Sequence, residues 1–261
     1  MQQYFWLDGK RNDELGVTLQ SPIVFSQPVP NVVSQHIPGK NGDLHYWDGS
    51  YENITGTAKC FVLGNDPENV LSNMASLCLA NPGYHRLEVS SEPGFFRMAR
   101  IRKGIETDIR CNILAPFSIE FDCMPQKWDI NGECAHTFHG DGNRAFQFKI
   151  VNPYSFPAKP LIRLSVTDAD TTMFPLSLTI VNTENGVEAN ALTITEFSDY
   201  IDIDFELQNV YSGGNNMNNV VEIIGEFPTI LPGKNTITLA AAPGTTGNYA
   251  TLEITPRWWT L

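Results

Sequence analysis

The stretch IPGKNGDLHYWDGSYENI, from Ile37 to Ile54, combines turn-forming residues with three aromatic side chains. Asn41-Gly42 and Asp48-Gly49 are dipeptides that favour tight turns. A phosphate-binding loop would need a helix directly behind it, and none is expected here. Between the two turns lies one apolar face, too short to build a core on its own. We therefore predict a protruding hairpin that packs against another surface, and its candidate assembly interface comprises Leu44, Tyr46 and Trp47.

One segment downstream has the pattern of a helix. Asp66 is a good N-cap, Pro67 fits the first helical position, and Asn81-Pro82-Gly83 would end the helix. Its apolar face comprises Val70, Met74, Leu77 and Cys78. The segments that follow, YHRLEV (84–89) and FFRMARIRKGI (95–105), flank the turn SSEPG and indicate a β-hairpin.

The second half of the chain is a series of short strand patterns separated by turns. They are LSLTIV (176–181), LTITEF (192–197), YIDIDFEL (200–207), NTITL (235–239) and ATLEITP (250–256), with an Asn185-Gly186 turn after the first. In YIDIDFEL, strict alternation predicts an apolar face and a solvated acidic face that carries Asp202, Asp204 and Glu206. Such spacing favours an antiparallel sandwich.

Hydrophobic periodicity lapses in PQKWDINGECAHTFHGDGN (125–143), where turn residues accumulate, so we expect a linker there. We predict a mostly β protein of two domains. Residues 1–130 would form a β-sandwich-like domain with one α-helix and the protruding hairpin, and residues 131–261 an antiparallel β-sandwich.

The net charge of the 261-residue chain is −12. An acidic surface repels phosphate, which disfavours stable binding to nucleic acid or to anionic membranes. The N-terminal MQQYFWLDGKR lacks a basic region followed by an apolar stretch, so we expect no signal peptide. No apolar run approaches the roughly 20 residues that a membrane span needs.

The five cysteines form an odd set without CxxC spacing, which in a chain made in the cytoplasm favours free thiols. They are Cys60, Cys78, Cys111, Cys123 and Cys134. The best metal candidate is CAHTFH, with Cys134, His136, His139 and the upstream Cys123, but its spacing matches no standard zinc site. We expect no metal and no cofactor.

The pattern of residues points to no catalytic site. Asp202 and Asp204 lie about 6.7 Å apart along a strand, near the separation of carboxyl groups in inverting glycosidases, yet acids on a polar strand face are usually solvated. There is no nucleophile elbow, Walker loop or dinucleotide fingerprint, and His36, His45 and His85 are isolated. We therefore do not expect an enzyme.

An ordered series of segments resembles the distal tail proteins of long, non-contractile-tailed phages and prophages of Gram-positive bacteria. The series runs IPGKNGDL…DGSYENI, a helix, YHRLEVSSEPGFFRMARI, NPYSFPAKPLIRL, YIDIDFELQNVYSGGNNMN, FPTILPGKNTITL and LEITPRWWTL. The resemblance covers most of the chain and carries no catalytic motif. It implies a ring-forming N-terminal domain, followed by a galectin-like β-sandwich without large insertions.

The resemblance also implies an assembly and a location. Six copies would form a ring at the distal end of the phage tail. That ring would join the tail tube protein to the tail-associated (tail-tip) protein and, in many phages, to receptor-binding or baseplate proteins. The protein would be made in the bacterial cytoplasm and end in the virion, with DNA passing through the ring.

The alternative is a carbohydrate-binding module, because galectin-like sandwiches often bind glycans and Trp47, Trp128, Trp258 and Trp259 offer stacking surfaces. Trp258 and Trp259 would point to opposite faces of the last strand, so at most one could serve a given platform. Within the ring hypothesis, basic residues on the channel wall would trap DNA. We therefore expect Arg97, Arg100, Arg102 and Lys103 to lie away from the channel and to pair with acids.

Overall fold

Short segments in which apolar and polar residues alternate give the described parts of the chain an almost entirely antiparallel β architecture. A computed structural model describes residues 3–64, 66–105, 113–140, 143, 145–166, 174–184, 186, 191–242 and 250–261. Cys111, Asn185 and the side chain of Cys78 lie outside these described parts. Tertiary contacts divide the chain into two compact units, Met1–Lys127 with Leu261, and Trp128–Thr260.

The described residues of the first unit form ten strands and one α-helix. A further strand, introduced below with the second unit, crosses the unit boundary. The elements are β1 (Phe5–Leu7), β2 (Lys10–Arg11), β3 (Thr18–Leu19), β4 (Val24–Phe25), β5 (Pro30–His36), β6 (Asp43–Tyr51), β7 (Ile54–Leu63), α1 (Pro67–Leu79), β8 (His85–Val89), β9 (Phe95–Ile101) and β10 (Leu114–Cys123). The main sheet has the order β2-β1-β8-β9-β10-β7-β3, and β4 also pairs with β7. β5 and β6 form a separate two-stranded sheet.

The longest pair of strands, β7 and β10, forms the centre of the first unit. Their residues are paired antiparallel from Ile54↔Cys123 to Leu63↔Leu114. In both strands alternate side chains are buried, among them Ala58, Cys60, Ile119 and Phe121. This period of two places one face of each strand on the core.

The helix begins where the sequence predicts. The Asp66 carboxylate accepts a hydrogen bond from the Asn69 amide at 3.2 Å, and Pro67 opens the helix. Met74 is fully buried and Leu71, which the predicted apolar face did not include, is 8% exposed. The N-cap bond and the buried face explain why this segment is helical in a β-rich unit.

The second unit is a sandwich of two antiparallel sheets. Its strands, with β11 crossing the unit boundary, are β11 (Lys127–Asp129), β12 (His136–His139), β13 (Ala145–Asn152), β14 (Leu161–Ser165), β15 (Leu176–Asn182), β16 (Leu192–Ile194), β17 (Tyr200–Asp204), β18 (Asn209–Ser212), β19 (Asn215–Asn216), β20 (Val221–Ile223), β21 (Gly233–Ala241), β22 (Thr251–Thr255) and β23 (Trp259–Thr260). One sheet has the order β12-β22-β14-β17-β18-β19, the other β13-β21-β15-β16-β20. Two short 3₁₀ helices span Ile130–Glu133 and Asn218–Val220. The prediction of a mostly β chain with an antiparallel sandwich is confirmed.

The core of the sandwich is formed by side chains that alternate along facing strands. Leu176, Leu178 and Ile180 of β15 are fully buried, as are Ile237 and Leu239 of β21. These residues come from strands in the same sheet and pack with the inward side chains of β14, β17 and β22 from the other. The strand segments predicted from LSLTIV, NTITL and ATLEITP therefore exist as strands β15, β21 and β22.

The prediction of a solvated acidic face for YIDIDFEL is wrong. Asp202 and Asp204 are 5% and 3% exposed, not solvated. Each carboxylate instead accepts two hydrogen bonds from a guanidinium group, Asp202 from Arg163 at 2.7 and 2.8 Å and Asp204 from Arg257 at 2.9 Å for both bonds. These partners lie in other segments of the chain, so alternation within one strand could not reveal them. The predicted apolar face also fails at its end, where Leu207 is 70% exposed in the turn after β17.

The expected linker at 125–143 is also wrong, because most of it is regular structure. It contributes strand β11, the first 3₁₀ helix and strand β12, which pairs with β22. The surroundings of Gly132 explain why this segment has a glycine at that position. A Cβ at this position would lie 2.5 Å from the Trp258 backbone nitrogen, so only glycine permits the close approach of the two segments.

Candidate assembly surface

The hairpin of β5 and β6, defined here as residues 30–51, is the exposed feature that the sequence singled out. β-Branched Val32 and Val33 favour the extended conformation of β5. The chain reverses through residues 37–42, where Gly39 and Gly42 adopt φ angles of 80° and 84° that other residues rarely tolerate. Every residue of both strands is exposed except Tyr51, which is half-buried at the base.

Strand register divides the hairpin into two different faces. Val33 is opposite Tyr46, and Gln35 is opposite Leu44, so these four side chains share one face, the apolar face. The other face carries Val32 opposite Trp47 and two polar cross-strand contacts. These contacts are Ser34 Oγ to His45 Nδ1 at 2.8 Å and His36 Nδ1 to Asp43 Oδ1 at 3.3 Å.

This register corrects the prediction of a single apolar face. Leu44 and Tyr46 do lie together, at 50% and 67% exposure, but Trp47 points to the opposite side of the hairpin. The physical reason is the period of two along β6, which separates neighbouring residues onto opposite faces. The three candidate interface residues are thus all exposed, and only two of them can contact the same flat surface.

The Asp48-Gly49 dipeptide is not the second turn that the sequence suggested. It lies inside β6, where the register shifts between Pro30↔Tyr51 and Val32↔Trp47. Gly49 has a φ angle of 87°, and the Asp48 carboxylate accepts hydrogen bonds from the Ser50 amide at 2.8 Å and the Ser50 hydroxyl at 2.6 Å. These bonds hold the pKa of Asp48 below its ordinary value. The dipeptide therefore makes a bulge, which bends the strand without reversing it.

The bulge fixes the position of Trp47 at the base of the hairpin. The Trp47 indole N–H donates to the Ser50 carbonyl at 2.7 Å, and its ring lies edge-on to Tyr51 with centroids 5.5 Å apart. Trp47 thus has intramolecular contacts and is still 48% exposed. Trp47 therefore orders the base of the hairpin, and the exposed part of its ring can still contact another surface.

Sequence reasoning missed the first strand of the hairpin. β5 contributes Val33 to the apolar face, and the segment PVPNVVSQHI contained the signal in its two adjacent valines before a Pro-Gly turn. Val29, just before β5, is 54% exposed and adds apolar surface at the base. An isolated two-stranded hairpin is marginally stable in water, so a surface that packs on it would stabilise it.

The candidate metal ligands do not converge. Cys134 and His136 line a cleft of about 530 Å³ together with Trp258. His139, three residues along the strand, points to the opposite face, where its Nδ1 lies 3.0 Å from Thr251 Oγ1. Within the described residues no three His, Cys, Asp or Glu side chains group as a metal site would require.

The described thiols are free. Cys60 and Cys123 are buried and Cys134 is exposed. Burial raises the pKa of both buried thiols to about 12, so they remain protonated and unreactive at neutral pH.

The isolated histidines have different surroundings. His36 and His45 lie on the exposed polar face of the hairpin, whereas His85 is 5% exposed. Its Nδ1 is 2.6 Å from the Asp8 carboxylate and its Nε2 is 2.8 Å from the Asn81 carbonyl. Both ring nitrogens face acceptors, so the cationic form, which donates from both, fits this site best.

Arg97 and Arg100, from the predicted basic run, are paired with acids. Arg97 is 6% exposed and donates to Glu92 at 3.2 and 3.3 Å, and Lys127 Nζ lies 3.6 Å from the same carboxylate. Arg100 donates to Asp122 at 2.8 Å. Arg102 Nη1 contacts the Thr55 hydroxyl at 3.3 Å.

The tryptophans of the last strand have structural contacts. Trp258 is 6% exposed and belongs to the sandwich core. Trp259 stacks on Phe156 with centroids 4.5 Å apart and donates its indole N–H to the Pro157 carbonyl at 2.9 Å. No helix among the described residues is long and apolar enough to cross a membrane.

Comparison with solved structures identifies the fold. The chain is similar over its whole length, and over the whole length of the other chain, to the crystal structure of the SPP1 Dit protein, with a TM-score of 0.72 and 14% sequence identity. That protein is described as a paradigm of the hub adsorption apparatus in phages that infect Gram-positive bacteria. The chain therefore has the fold of a phage distal tail protein, as the resemblance predicted.

Two further matches are weak. An exo-β-1,3-galactanase from Phanerochaete chrysosporium matches with a TM-score of 0.21 and 11% identity, over 92% of this chain and 69% of that one. The VP2 protein of infectious bursal disease virus matches with a TM-score of 0.22 and 9% identity, over 97% and 70% of the two chains. No protein-family model and no curated protein sequence matches the chain.

Proposed function

We propose that this protein is a structural component of a phage tail tip. Six copies form a ring at the distal end of a long, non-contractile tail, which joins the tail tube to the host-adsorption apparatus and lets the DNA pass. The observation that carries this proposal is the fold shared with the SPP1 Dit protein across the full length of both chains.

The exposed hairpin supports a role in assembly. Monomeric proteins rarely display adjacent large apolar side chains on an element that lies outside their core, and such surfaces commonly mark protein contacts. The apolar face of residues 33, 35, 44 and 46 has this character, with Val33 and Tyr46 64% and 67% exposed. A closed ring needs two different contact surfaces on each copy, and the hairpin supplies one of them.

The contacts of two carboxylates in the second unit support a non-enzymatic role. The two carboxylates that most resembled a catalytic pair, those of Asp202 and Asp204, are each neutralised by a bidentate arginine. Neither is available as a general acid or base while that pair holds. The two buried thiols, those of Cys60 and Cys123, have raised pKa values, which fits a role in core packing.

The contacts of Trp258 and Trp259 weaken the carbohydrate-binding alternative. One indole is in the core and the other stacks on Phe156, so neither presents a free platform to a sugar ring. A glycan array probed with the full-length chain separates the two functions, since dose-dependent glycan binding would favour the alternative.

Imaging with the tail partners tests the proposal. The chain would be co-expressed with the tail tube protein and the tail-tip protein of the same phage, and the purified particles examined by cryo-electron microscopy. We expect a sixfold ring of this chain between the two partners, in a complex that belongs to the virion. Particles that contain the chain without sixfold symmetry would contradict the proposal.

A further inference from the structure

A cavity in the first unit contains a buried arginine whose hydrogen-bond donors are only partly used. The cavity has a volume of about 230 Å³. Exposed Ser26 and Gln27 line it together with the half-buried Glu92 and Lys127 and the buried Arg97. A small molecule could therefore enter from the surface and reach charged groups that are largely removed from water.

Arg97 is held less tightly by its acid than other arginines of this chain are by theirs. Its Nη2 atom lies 3.2 and 3.3 Å from the two Glu92 carboxylate oxygens. Arg100, Arg163 and Arg257 donate to their carboxylates at 2.7–2.9 Å, the usual range for such charged pairs. The Nε and Nη1 atoms of Arg97 are buried and have no hydrogen-bond partner among the described residues.

An aromatic ring holds the Arg97 guanidinium in place but supplies no acceptor. The guanidinium carbon lies 4.7 Å from the centre of the Phe25 ring. Gly56 makes room for that ring, because a Cβ at this position would lie 2.6 Å from it. Stacking stabilises the cation through its face, whereas the N–H bonds lie in the guanidinium plane and still need acceptors. Buried donors without acceptors are costly, so a ligand that supplies them would be bound favourably.

The charges in the cavity favour a single negative charge. Lys127 Nζ lies 3.6 Å from the same Glu92 carboxylate and 5.1 Å from the centre of the Phe95 ring. Arg97 and Lys127 thus share one acid, and the three groups together carry a net charge of +1 in a chain whose net charge is −12. Pockets for drug-sized ligands have volumes of about 300–1,000 Å³, so this cavity suits a smaller molecule.

We propose that this cavity binds a small monocarboxylate, such as acetate, which accepts hydrogen bonds from Arg97 and Lys127 in competition with Glu92. The two carboxylate oxygens supply acceptors that Arg97 lacks, and the single charge balances that of the cavity. The inference does not rest on the proposed function. It gives Arg97 no part in binding duplex DNA, which is too wide to enter a cavity of this size.

Isothermal titration calorimetry of the full chain with sodium acetate tests the site, in a Tris chloride buffer free of other carboxylates. We expect saturable binding to the unchanged chain. Lys127→Met removes one donor and should weaken the binding by about tenfold or more, the equivalent of one hydrogen bond to a charged group. Lys234→Met is the matched control, because Lys234 belongs to the second unit and pairs with Glu184 at 3.8 Å. Its affinity for acetate should be unchanged.

Glu92→Gln gives a prediction of the opposite sign. The change removes the competing charge and retains the size of the side chain, so acetate should bind about tenfold more tightly than to the unchanged chain. Circular dichroism verifies that each variant is folded. The proposal is overturned if neither the unchanged chain nor Glu92→Gln shows saturable binding, because the cavity then holds water only. Undiminished binding by Lys127→Met, or weaker binding by Glu92→Gln, would overturn it as well.

Nuclear magnetic resonance locates the ligand. The Arg97 Nε–H resonance should shift during the acetate titration, whereas that of Arg163, which already donates to Asp202, should not. A titration with phosphate at the same ionic strength tests the choice of ligand, and tighter binding of phosphate than of acetate would overturn the assignment of a monocarboxylate. A sixfold ring in the tail complex without acetate binding would refute this site and leave the proposed function standing.

Discussion

Asp204 is a carboxylate held in the core by four hydrogen bonds. Two come from Arg257 at 2.9 Å, and two from the amides of Glu206 and Leu207 at 3.0 Å. Arg257 itself has a φ angle of 57°, an unfavourable conformation for a residue with a side chain, and its amide donates to the Gly132 carbonyl at 2.8 Å. The ion pair thus fixes a strained turn of the C-terminal segment on the sandwich.

Removing the Asp204 charge should destabilise the second unit. Asp204→Asn leaves a largely buried guanidinium without its counter-ion, and we expect a loss of about 3 kcal/mol in the free energy of unfolding. Asp202→Asn is the matched control. Its partner Arg163 has a side chain that is 49% exposed, so the loss should be about 1 kcal/mol or less. Urea denaturation measures both, and equal losses would show that burial of the arginine does not matter.

The same carboxylate predicts a response to acid. Burial alone would raise the pKa of Asp204, but the hydrogen bonds from Arg257 and the two amides lower it below the ordinary value of 3.8. Its stabilisation is therefore present above that value and is lost as the pH falls through the lower pKa of the folded state. In acid titrations followed by circular dichroism, Asp204→Asn should show a shallower loss of stability than the unchanged chain.

His85 predicts a response in the opposite direction. Its hydrogen bond to Asp8 raises the pKa of the imidazole, although burial opposes the shift and the Asn81 carbonyl adds to it. A raised pKa means that the stabilisation is complete below about 6.5 and is lost as the pH rises through the folded-state value. We expect the free energy of unfolding to fall across that range in the unchanged chain and to stay flat in His85→Gln. A flat profile in both would show that the imidazole is neutral in the fold.

Tyr46 and Trp47 differ in the face that they present. Tyr46→Ala should weaken self-association by about 2 kcal/mol, or roughly thirtyfold in dissociation constant, because it lies on the apolar face. Trp47→Ala should have a smaller effect, since part of its surface already contacts Tyr51. Neither change should alter the melting temperature of the monomer, because the hairpin is outside the core. Sedimentation velocity gives the association, and a large drop in monomer stability would place either residue in the fold instead.

At the scale of elements, the sequence was most informative where a local rule is sufficient. Asp66, Pro67 and a buried apolar stripe define α1 without reference to the rest of the chain. Strand patterns bounded by turn residues likewise predicted β8, β9, β15, β21 and β22. The Asp48-Gly49 bulge and the ordered segment at 125–143 were missed because they depend on pairing with β5 and β22, which the local residues do not encode.

The helix cap offers a direct test at this scale. Asp66→Ala removes the acceptor of the Asn69 amide, and we expect a loss of about 1 kcal/mol in the stability of the first unit. Asp66→Asn retains an acceptor and is the matched control. Thermal denaturation compares the two, and equal losses would mean that charge near the helix start matters more than the hydrogen bond.

At the scale of the whole molecule, composition and charge narrowed the set of possible functions more than any single motif did. The acidic balance argued against stable nucleic-acid binding, and the ordered series of weak segments predicted the fold that the SPP1 Dit comparison shows. The proximity of Leu63 and Ile113 was beyond sequence reasoning. Leu63 and Ile113 are 50 positions apart and become neighbours only through the pairing of β7 with β10. The division of the apolar residues between two hairpin faces likewise required the register.

Under the proposed function, a ring through which DNA leaves the tail must not retain it, and the contacts of Arg97 and Arg100 fit this requirement. Arg97 is buried beside Glu92 and Arg100 is paired with Asp122, so neither presents an uncompensated charge to phosphate. We expect the assembled protein to show no binding of duplex DNA that strengthens as salt is lowered, because such binding requires cations that release condensed counter-ions.

Fluorescence anisotropy of a labelled duplex across a salt series measures this binding, with Asp122→Asn as the informative variant. That change releases Arg100 from its acid, so a gain of salt-sensitive binding would place Arg100 within reach of the DNA path. No gain is expected if the basic run faces away from the channel. Tight, salt-sensitive binding by the unchanged ring would contradict the proposed passage of DNA through an acidic or neutral channel.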